Sequence, residues 1–528
     1  MTPPRIYLST TIPYVNARPH LGHALELVQA DVLARHHRRL GHQVRFQSGT
    51  DDNSLKNVLA AQAAGQPVQD LVRANGRAFA ELRGPLALST DDFIHTSTDP
   101  RHRPGVERLW QACAARGDLY QRDYTGLYCT GCEQFYKPAE LPGGRCPEHG
   151  TPPEAVAERN WFFRLSRYGG RLAALIESGE LRIEPPARRR EVLAFIGAGL
   201  EDFSISRSAA RARGWGIPVP GDPQQVIYVW WDALGNYITA PGYGTGSADY
   251  PRWWAGARQR IHLAGKGVLR FHAVYWPAIL LSAGEPLPTQ IVVHDYLTAG
   301  GRKISKSAVG GADGPVGPDG PAAPASPAVL ADPVALAGRY GTDAVRWWLL
   351  REVPRTGDAD FTTGRLVACA NRDLANGVGN LVSRVTTLAR DRDRDPGCSA
   401  RPAGPAGAGA GGPADALLAA VSQAPGQVGR ALESADFRAA LAAIWLIVEQ
   451  ANSWIESTAP WQLARQARAG DRAAAERLDA VLAVLLRACR TLAAELAPFV
   501  PDLAARITAA CDPAAGAGPV FPRLDRRL

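Results

Sequence analysis

Short apolar runs and one long amphipathic segment alternate over the first fifty residues of the chain. Residues 5–10 are mostly apolar or β-branched, which is typical of a buried strand. After an irregular stretch, apolar side chains recur at helical spacing from Leu21 to Leu33, and basic residues followed by glycine at 38–41 indicate the end of a helix. Residues 43–49 predict a second strand. Together they predict a βαβ unit, the building block of a doubly wound parallel sheet.

The pattern changes further along the chain. Residues 113–200 carry turn signals and three closely spaced cysteines, which favours an inserted domain. Apolar runs at 226–230, 261–266 and 291–294 predict strands that complete the sheet. From Pro333 onward the pattern is almost entirely helical. The predicted fold class is therefore α/β, a Rossmann-type doubly wound parallel sheet with an inserted domain and a C-terminal all-α bundle.

Composition narrows the class of protein. The chain has 528 residues, of which 46% are hydrophobic and 21% charged, so it can bury several cores and is not wholly disordered. Two segments rich in Gly, Pro and Ala, at 308–330 and 399–414, lack periodicity and predict flexible connections. The net charge of +8 permits a polyanionic partner. No apolar run approaches the ~18–20 residues of a membrane span and no secretory segment is apparent, so we expect a cytoplasmic protein without a membrane partner.

Lysine is rare in this chain, and the positions that keep it are informative. Only five of the 59 basic residues are lysines, and two of these, Lys303 and Lys306, lie in the sequence Lys-Ile-Ser-Lys-Ser at 303–307. A lysine retained among so many arginines favours a site that needs a compact point charge. Two ammonium groups on a Ser-rich loop could neutralise the phosphates of ATP. A solvated basic loop would show the same pattern.

The sequence His-Leu-Gly-His at 20–23 begins the first predicted helix. A helix N-terminus offers unpaired N–H groups to phosphate, and Gly22 leaves room for close approach of a nucleotide. His20 and His23 lie three residues apart, on one helix face, and could donate hydrogen bonds to charge that develops on a phosphate. Two histidines at an ordinary helix cap are the alternative.

Three cysteines and a histidine have the spacing of a metal site. Cys129 and Cys132 form one C-x-x-C pair, and Cys146 and His149 form a C-x-x-H pair thirteen residues later. Two such chelating loops can close a tetrahedral Cys₃His zinc site. All four positions would be filled by the protein, so the predicted Zn²⁺ is structural. A chance cluster of reduced cysteines is the alternative.

His-Leu-Gly-His and Lys-Ile-Ser-Lys-Ser, in this order, resemble the two signature motifs of class I aminoacyl-tRNA synthetases. Further stretches resemble the methionyl-tRNA synthetases within that class; they lie at 11–16, 48–51, 202–207, 228–233 and 340–344. The resemblance runs from about residue 5 to residue 465. The cysteine cluster is similar to the zinc knuckle of the connective domain in that family. The implied organisation is a Rossmann catalytic domain in two halves (1–112 and 201–300), a connective insertion with the zinc knuckle (113–200), a loop and stem-contact region (301–365) and a helical anticodon-binding domain (366–528).

The resemblance also implies an activity and its residues. Methionine would attack the α-phosphate of ATP, a substrate that brings Mg²⁺, and the methionyl group would then pass to the 3′ end of tRNA(Met). His20 and His23, with Gly22, would hold the α-phosphate, and Lys306, assisted by Lys303, would stabilise the leaving pyrophosphate. The methionine site would comprise Ile12, Tyr14, Asp51, Trp230, Ala233, Tyr237 and His272. On spacing alone, Asp51 could equally be a turn aspartate and the aromatic residues ordinary core.

The helical C-terminal region would read the anticodon. Asn376, Asn380 and Arg384 recur at i, i+4 and i+8, and Trp461 opens a later helix. Amides and a guanidinium can read base edges, and an indole can stack on an unpaired base. Without the resemblance, a polar surface and a buried tryptophan would be the simpler interpretation. No further domain follows the bundle, so we expect a monomer.

Three departures from the family pattern keep other functions open. Gly267 stands where the family usually has an aspartate, Asp51 is followed by Asp-Asn-Ser instead of Glu-His-Gly, and 308–310 replace the usual Arg-Gly-Asn. These departures permit a paralogue that forms an aminoacyl-adenylate for another role, such as a resistance copy or a ligase for a non-tRNA acceptor. A non-catalytic tRNA-binding module is the remaining alternative.

Overall fold

The computed structural model describes residues 3–129, 134–147, 150–304, 331–393, 412–512 and 519–525. The predicted flexible loop at 308–330, and the part of the predicted link at 399–411, lie outside these ranges. The chain divides into two compact units. The first comprises residues 1–84, 88–296 and 304–329, and the second residues 85–87, 297–303 and 330–528.

A six-stranded sheet forms the centre of the first unit. In chain order, the strands of the protein are β1 (Arg5–Thr10), β2 (Gln43–Thr50), β3 (Asp92–His95), β4 (Leu119–Cys129), β5 (Gln134–Tyr136), β6 (Glu154–Phe163), β7 (Arg182–Glu184), β8 (Phe203–Ser204), β9 (Ser206–Ser208), β10 (Pro218–Val219), β11 (Asp222–Ile227), β12 (Gln259–Gly265), β13 (Gln290–His294), β14 (Leu297–Ala299), β15 (Arg302–Lys303) and β16 (Ala359–Asp360). The sheet has the order β3-β2-β1-β12-β13-β7, and all five of its pairings are parallel. The predicted doubly wound parallel sheet is confirmed.

Helices connect these strands. The α-helices of the first unit are α1 (Leu21–Arg39), α2 (Leu55–Ala63), α3 (Val68–Ala80), α4 (His102–Ala115), α5 (Gly169–Ser178), α6 (Pro186–Gly197), α7 (Val229–Thr239) and α8 (Trp276–Ala283). The predicted strand–helix–strand of the first fifty residues is β1, α1 and β2. Helix α1 ends before Gly41, which has a φ of 79° that an L side chain rarely adopts.

The prediction of a strand at 226–230 is wrong in part. Residues up to Ile227 do form β11, but that strand pairs antiparallel with β9 and β10 in a separate sheet, and Val229 already begins α7. Aromatic and β-branched residues favour strands, yet here they form a helix that is buried along nearly its whole length. The expected strands at 261–266 and 291–294 are confirmed as β12 and β13.

The segment between α4 and α7 forms two small antiparallel sheets. One has the order β5-β4-β6-β8, in which β4 and β6 form a long hairpin, and the other has the order β10-β11-β9. One strand from this part of the chain joins the central sheet instead, since β7 pairs with β13 at its edge. The residues expected as an insertion, 113–200, therefore also contribute to the parallel sheet.

The second unit is helical, as the pattern after Pro333 predicts. Its α-helices are Pro333–Tyr340, Thr342–Arg351, Thr363–Cys369, Asn380–Asp393, Pro413–Glu433, Phe437–Thr458, Pro460–Arg468, Arg472–Leu496 and Pro501–Ala510. Arg346 is fully buried and donates to the backbone oxygens of Phe499, Pro498 and Leu86 at 2.7–2.9 Å. A guanidinium can be buried in this way because the carbonyl oxygens accept hydrogen bonds from its N–H groups. None of the described helices is long and apolar enough to cross a membrane.

A buried ion pair joins the carboxyl ends of two strands of the central sheet. Glu26, on α1, accepts from the backbone N–H and the hydroxyl of Thr11, just after β1, at 2.6 and 2.5 Å. Its other oxygen lies 2.9 Å from Nε2 of His294, the last residue of β13, whose Nδ1 lies 2.9 Å from the carbonyl oxygen of Asp295. Both partners are acceptors, so both ring nitrogens carry protons. Burial alone would lower the pKa of His294, but the contact with Glu26 outweighs it and raises that pKa above 6.5.

This pair predicts a pH-dependent contribution to stability. Because the folded state raises the pKa of His294, the contribution is complete below the unfolded value near 6.5 and is lost as the pH rises through the folded value. The substitution His294→Gln should therefore lower the free energy of unfolding by about 2 kcal/mol at pH 6 and by clearly less at pH 9. Urea unfolding of both proteins at the two pH values measures this difference. A difference that is the same at both would contradict a charged His294.

Candidate functional site

The candidate site lies at the carboxyl edge of the central sheet. Strand β1 pairs with β2 on one side and with β12 on the other, so the chain leaves the sheet in opposite directions from this point. In open parallel sheets, such a change of direction leaves a crevice beyond the strand ends where ligands bind. The segment after β1 enters this edge and leads into the N-terminus of α1.

The two histidines of the first motif cap α1. The ring nitrogen Nδ1 of His20 accepts from the backbone N–H of Gly22, and Nδ1 of His23 accepts from the backbone N–H of His20, both at 3.1 Å. A backbone N–H can only donate, so each Nδ1 is unprotonated and each ring carries its proton on Nε2. The rings stack with their centroids 3.8 Å apart. Both histidines therefore do cap the helix, as the alternative interpretation expects. The cap also places the proton of each imidazole on Nε2, and an Nε2–H donor suits a phosphate.

Glycine at position 22 has a local reason in the structure. A Cβ placed there would lie 2.9 Å from Cε1 and 3.0 Å from Nδ1 of His20. Any side chain would therefore displace the ring that caps the helix. Glycine keeps His20 in place, in addition to leaving the space expected for a nucleotide.

Asp51 lies at the carboxyl end of β2, beside the segment that follows β1. Its backbone N–H donates to the carbonyl oxygen of Pro13 at 2.9 Å, and a single parallel bridge joins it to Tyr14. Asn57 donates to the carbonyl oxygen of Asp51 at 3.0 Å. Asp51 is almost completely buried, so its carboxylate belongs to the interior of this edge and not to an exposed turn.

The other predicted methionine-site residues form an aromatic group. Trp230 stacks on Phe271 at 3.9 Å, and Tyr14 meets it edge-on at 6.3 Å. Ala233 and Tyr237 follow one and two turns later on α7, and both are buried. Ile12 is half-buried and packs against Gly49. A Cβ added at Gly49 would lie 3.1 Å from a methyl carbon of Ile12.

The polar atoms of this group satisfy one another without charge. Nδ1 of His272 lies 2.8 Å from the carbonyl oxygen of Val268 and therefore carries the proton, so Nε2 accepts from the Tyr237 hydroxyl at 2.7 Å. Burial lowers the pKa of His272 and raises that of Tyr237 well above 10. Both side chains are neutral at physiological pH, which suits an uncharged, polarisable ligand.

The second motif is only partly described. The backbone of Lys303 lies in β15, paired with Thr298, within the second unit. Lys306 lies outside the described residues. The role expected for the two lysines therefore stays a prediction.

Several residues of the site were not predicted from the sequence. Glu26 lies one turn after His23 on α1, and this spacing was the available signal. Asp232, between the predicted Trp230 and Ala233, is fully buried and hydrogen-bonded to His102. Asn53 also donates to Asp232, at 2.8 Å. The Asp-Asn-Ser sequence after Asp51 thus has a structural reason, because its amide satisfies a buried carboxylate.

The predicted anticodon residues lie on the surface of the second unit. Asn376, Asn380 and Arg384 are all exposed, and Arg384 donates to Asn452 on the helix Phe437–Thr458. Asn376 lies in a π-helical segment, Ala370–Gly379, so the three do not follow uniform α-helical spacing. Trp461 is 51% exposed, which excludes the alternative of a buried tryptophan.

Two of the four predicted zinc ligands are described. Cys129 and Cys146 are both buried in one small cluster with Tyr136 and Leu141, and Sγ of Cys146 lies 3.8 Å from the Tyr136 hydroxyl. Cys132 and His149 lie outside the described residues. Within the described ranges, no group of three or more candidate ligands is arranged around a metal position.

Comparisons with known proteins agree with this geometry. The family described as class I tRNA synthetases (M) matches residues 6–151, 136–313 and 324–386, and the anticodon binding domain of methionyl tRNA ligase matches residues 404–519. The methionine–tRNA ligase of Caldanaerobacter subterraneus is 37% identical over 94% of this chain and 72% of its own length. The Mycobacterium tuberculosis enzyme of that name is 38% identical over 95% of this chain and 91% of its own.

A solved structure gives the same result. Mycobacterium tuberculosis methionyl-tRNA synthetase in complex with methionyl-adenylate matches with a TM-score of 0.84 and 36% identity, over 96% of this chain and 93% of that one. The likeness therefore covers both units of the fold. This chain belongs to the methionyl-tRNA synthetase family of the class I aminoacyl-tRNA synthetases.

Proposed function

We propose that this chain is a methionine–tRNA ligase, which joins methionine to ATP to form methionyl-adenylate and then transfers the methionyl group to the 3′ end of tRNA(Met). One observation carries the proposal. The capped His20–His23 pair, Asp51 and the neutral aromatic group lie along one carboxyl edge of the sheet, in a chain whose solved relative is a complex with methionyl-adenylate.

In the first step, a carboxylate oxygen of methionine attacks the α-phosphorus of ATP, and the bond from that phosphorus to the oxygen of the β-phosphate breaks. Negative charge builds up on the α-phosphate oxygens and on the leaving pyrophosphate. The Nε2–H groups of His20 and His23 are the donors that we assign to the α-phosphate. Lys306, assisted by Lys303, is assigned to the pyrophosphate. No covalent bond to the enzyme is needed, because orientation and charge stabilisation lower the barrier.

Methionine recognition combines one charge with a neutral pocket. Asp51 would bind the ammonium group of methionine from the end of β2. The aromatic side chains would hold the thioether, since contacts between sulfur and aromatic rings stabilise by ~0.3–1.5 kcal/mol. The Tyr237–His272 pair is uncharged, so a charged amino-acid side chain would gain no counterion from it.

The domain roles follow the same assignment. We assign residues 1–112 and 201–300 to catalysis, 113–200 to the connective insertion, 301–365 to the Lys-Ile-Ser-Lys-Ser loop and stem-contact region, and 366–528 to anticodon binding. Exposed Asn376, Asn380, Arg384 and Trp461 would contact the anticodon bases. We place the enzyme in the cytoplasm, as a monomer, with Mg²⁺ accompanying ATP. The non-catalytic module is not favoured, because the catalytic histidines are retained. The paralogue is not favoured, because the relatives that match 94–95% of this chain are named methionine–tRNA ligases.

A structural Zn²⁺ fits the described part of the cysteine cluster. Cys129, at the end of β4, and Cys146 meet in one buried cluster although seventeen positions separate them in the sequence. Thiolate and imidazole are the ligands that zinc prefers, and Cys132 and His149 would complete a tetrahedral set. Bound Zn²⁺ would stabilise the hairpin of the insertion and leave catalysis to other residues.

Methionine-dependent exchange of pyrophosphate with ATP tests the proposed activity. In the absence of tRNA and against a panel of amino acids, the purified chain should support exchange with methionine and only weakly with others. Asp51→Asn should raise the KM for methionine by about tenfold or more, because it removes the partner of the ammonium group. Exchange with a different amino acid would overturn the substrate, and no exchange at all would favour the non-catalytic module.

Two variants should each impair a different half-reaction, adenylate formation in one and transfer to tRNA in the other. Lys306→Ala should reduce adenylate formation by about 100-fold or more while tRNA binding stays near normal, since the lysine acts on the pyrophosphate. Trp461→Ala should weaken tRNA charging and leave pyrophosphate exchange unchanged. Lys137→Ala, which removes an exposed lysine paired with Glu201, is the matched control and should affect neither reaction. Equal losses of exchange and charging in Trp461→Ala would indicate a folding role instead.

Zinc content tests the metal site independently of activity. The purified chain should contain about one Zn²⁺ per molecule, and Cys146→Ala should lose it on dialysis. Cys113→Ala is the control, because this buried cysteine lies in the main core and contacts the carbonyl oxygen of Ile279. Metal analysis by atomic emission measures both. A wild-type chain free of zinc, or a Cys146→Ala variant that retains it, would refute the assignment.

A further inference from the structure

Two charged residues meet where the central strands end, outside the set assigned above. Strands β12 and β13 are neighbours in register, with Gly265 opposite His294. The next residue of each strand end is charged, Lys266 after β12 and Asp295 after β13. Nζ of Lys266 lies 4.0 Å from Oδ1 of Asp295 and 4.7 Å from the centre of the Tyr296 ring. The Lys266 ammonium therefore lies beside a carboxylate from the neighbouring strand.

Asp295 is anchored more firmly than Lys266. Its side chain is 3% exposed, against 27% for that of the lysine. Arg188, near the start of α6, also donates to the Asp295 carboxylate and bonds Glu191 at 2.7 Å. Helix α6 follows β7, so the carboxylate joins groups from the ends of three adjacent parallel strands. A buried carboxylate with a fixed guanidinium partner is a rigid point from which to orient a flexible lysine.

The sequence of the turn that contains Lys266 makes the carboxylate of Asp295 more important. Lys266–Val268 is a single turn of Lys-Gly-Val. The turn thus has no carboxylate of its own. Asp295, one strand away, supplies a negative charge beside Lys266. Lys266 is also one of only five lysines among 59 basic residues, which favours a role that requires a compact ammonium.

We propose that Asp295 is a positioning residue that orients Lys266 toward the phosphate chain of ATP at the sheet edge. The inference rests on the proposed function, because ATP must bind at this crevice. Lys266 follows β12 directly, and β12 is the neighbour of β1, which leads to His20 and His23. An ammonium at the end of β12 would therefore act on the same phosphates from the opposite side of the crevice.

A double-mutant cycle on pyrophosphate exchange tests this. Lys266→Ala should raise the KM for ATP by about tenfold and leave the KM for methionine within about twofold. Asp295→Asn should raise the KM for ATP by about threefold to tenfold. The double variant should be no worse than Lys266→Ala, because Asp295 acts through the lysine. Gly267→Asp added to Asp295→Asn should restore the KM for ATP toward the wild-type value, since it places a carboxylate in the turn of Lys266.

Three outcomes would overturn the proposal. In the first, Lys266→Ala leaves the KM for ATP unchanged. In the second, the fold-increases in the KM for ATP of the two single variants multiply in the double variant. In the third, Asp295→Asn folds, but adding Gly267→Asp does not restore its KM for ATP. Methionine binding, followed by tryptophan fluorescence, shows whether each variant folds. If Asp295→Asn does not fold, Asp295→Glu replaces it and must show the same dependence on Lys266. Absence of exchange in the wild type would refute the proposed function, whereas normal exchange in all variants would refute only this inference.

Discussion

Parallel pairing of the central strands is the constraint on which the rest of the site depends. Because all five pairings are parallel, the carboxyl ends of the six strands lie along one edge, although the residues there come from distant parts of the sequence. For that reason Asp51 and His294, at the ends of β2 and β13, lie along the same edge as the segment after β1 that leads to His20. The ion pair of Glu26 with His294 then fixes the end of β13 to α1 and to the residue after β1. A slip in one strand would separate groups that we assign to the same substrate.

Charged side-chain pairs and a neutral side-chain pair lie at different parts of this edge. Beyond β1, β12 and β13 lie ionised groups, Glu26 with His294 and Lys266 with Asp295, each paired with a partner of opposite sign. On α7 and the segment beside it, Tyr237 and His272 satisfy each other without charge. The neutral pair suits a thioether, because burial keeps both of its side chains uncharged.

Local patterns predicted the elements that depend on local chemistry. Strand β1, helix α1 and strand β2 follow the predicted positions closely, because hydrophobic period, capping and a C-terminal glycine all indicate the same boundaries. The prediction of a strand at 226–230 is wrong in part. The aromatic and β-branched residues there favour a strand, but the helix that begins at Val229 is stabilised by its burial. The π-helical segment around Asn376 could not be predicted, because no residue type specifies it.

The candidate site divides in the same way. Motif residues such as His20 and Asp51 could be named from the sequence, but their hydrogen bonds could not, since Nδ1 of His20 is occupied by a backbone N–H that only the folded cap presents. Glu26, His294 and Asp295 were missed because their partners come from other strands. A lone acidic or basic residue in the sequence carries no sign of such a partner. Pairings across a parallel sheet are set by topology and not by neighbouring residues.

The most direct test of the central claim is a crystal structure of the chain with a non-hydrolysable methionyl-adenylate analogue. The ammonium group should lie within hydrogen-bond distance of Asp51, the thioether should contact Trp230 and Tyr237, and the phosphate position should face Nε2 of His20 and His23. An analogue bound away from the carboxyl edge of β1 and β12, or with its thioether outside the aromatic group, would contradict the account.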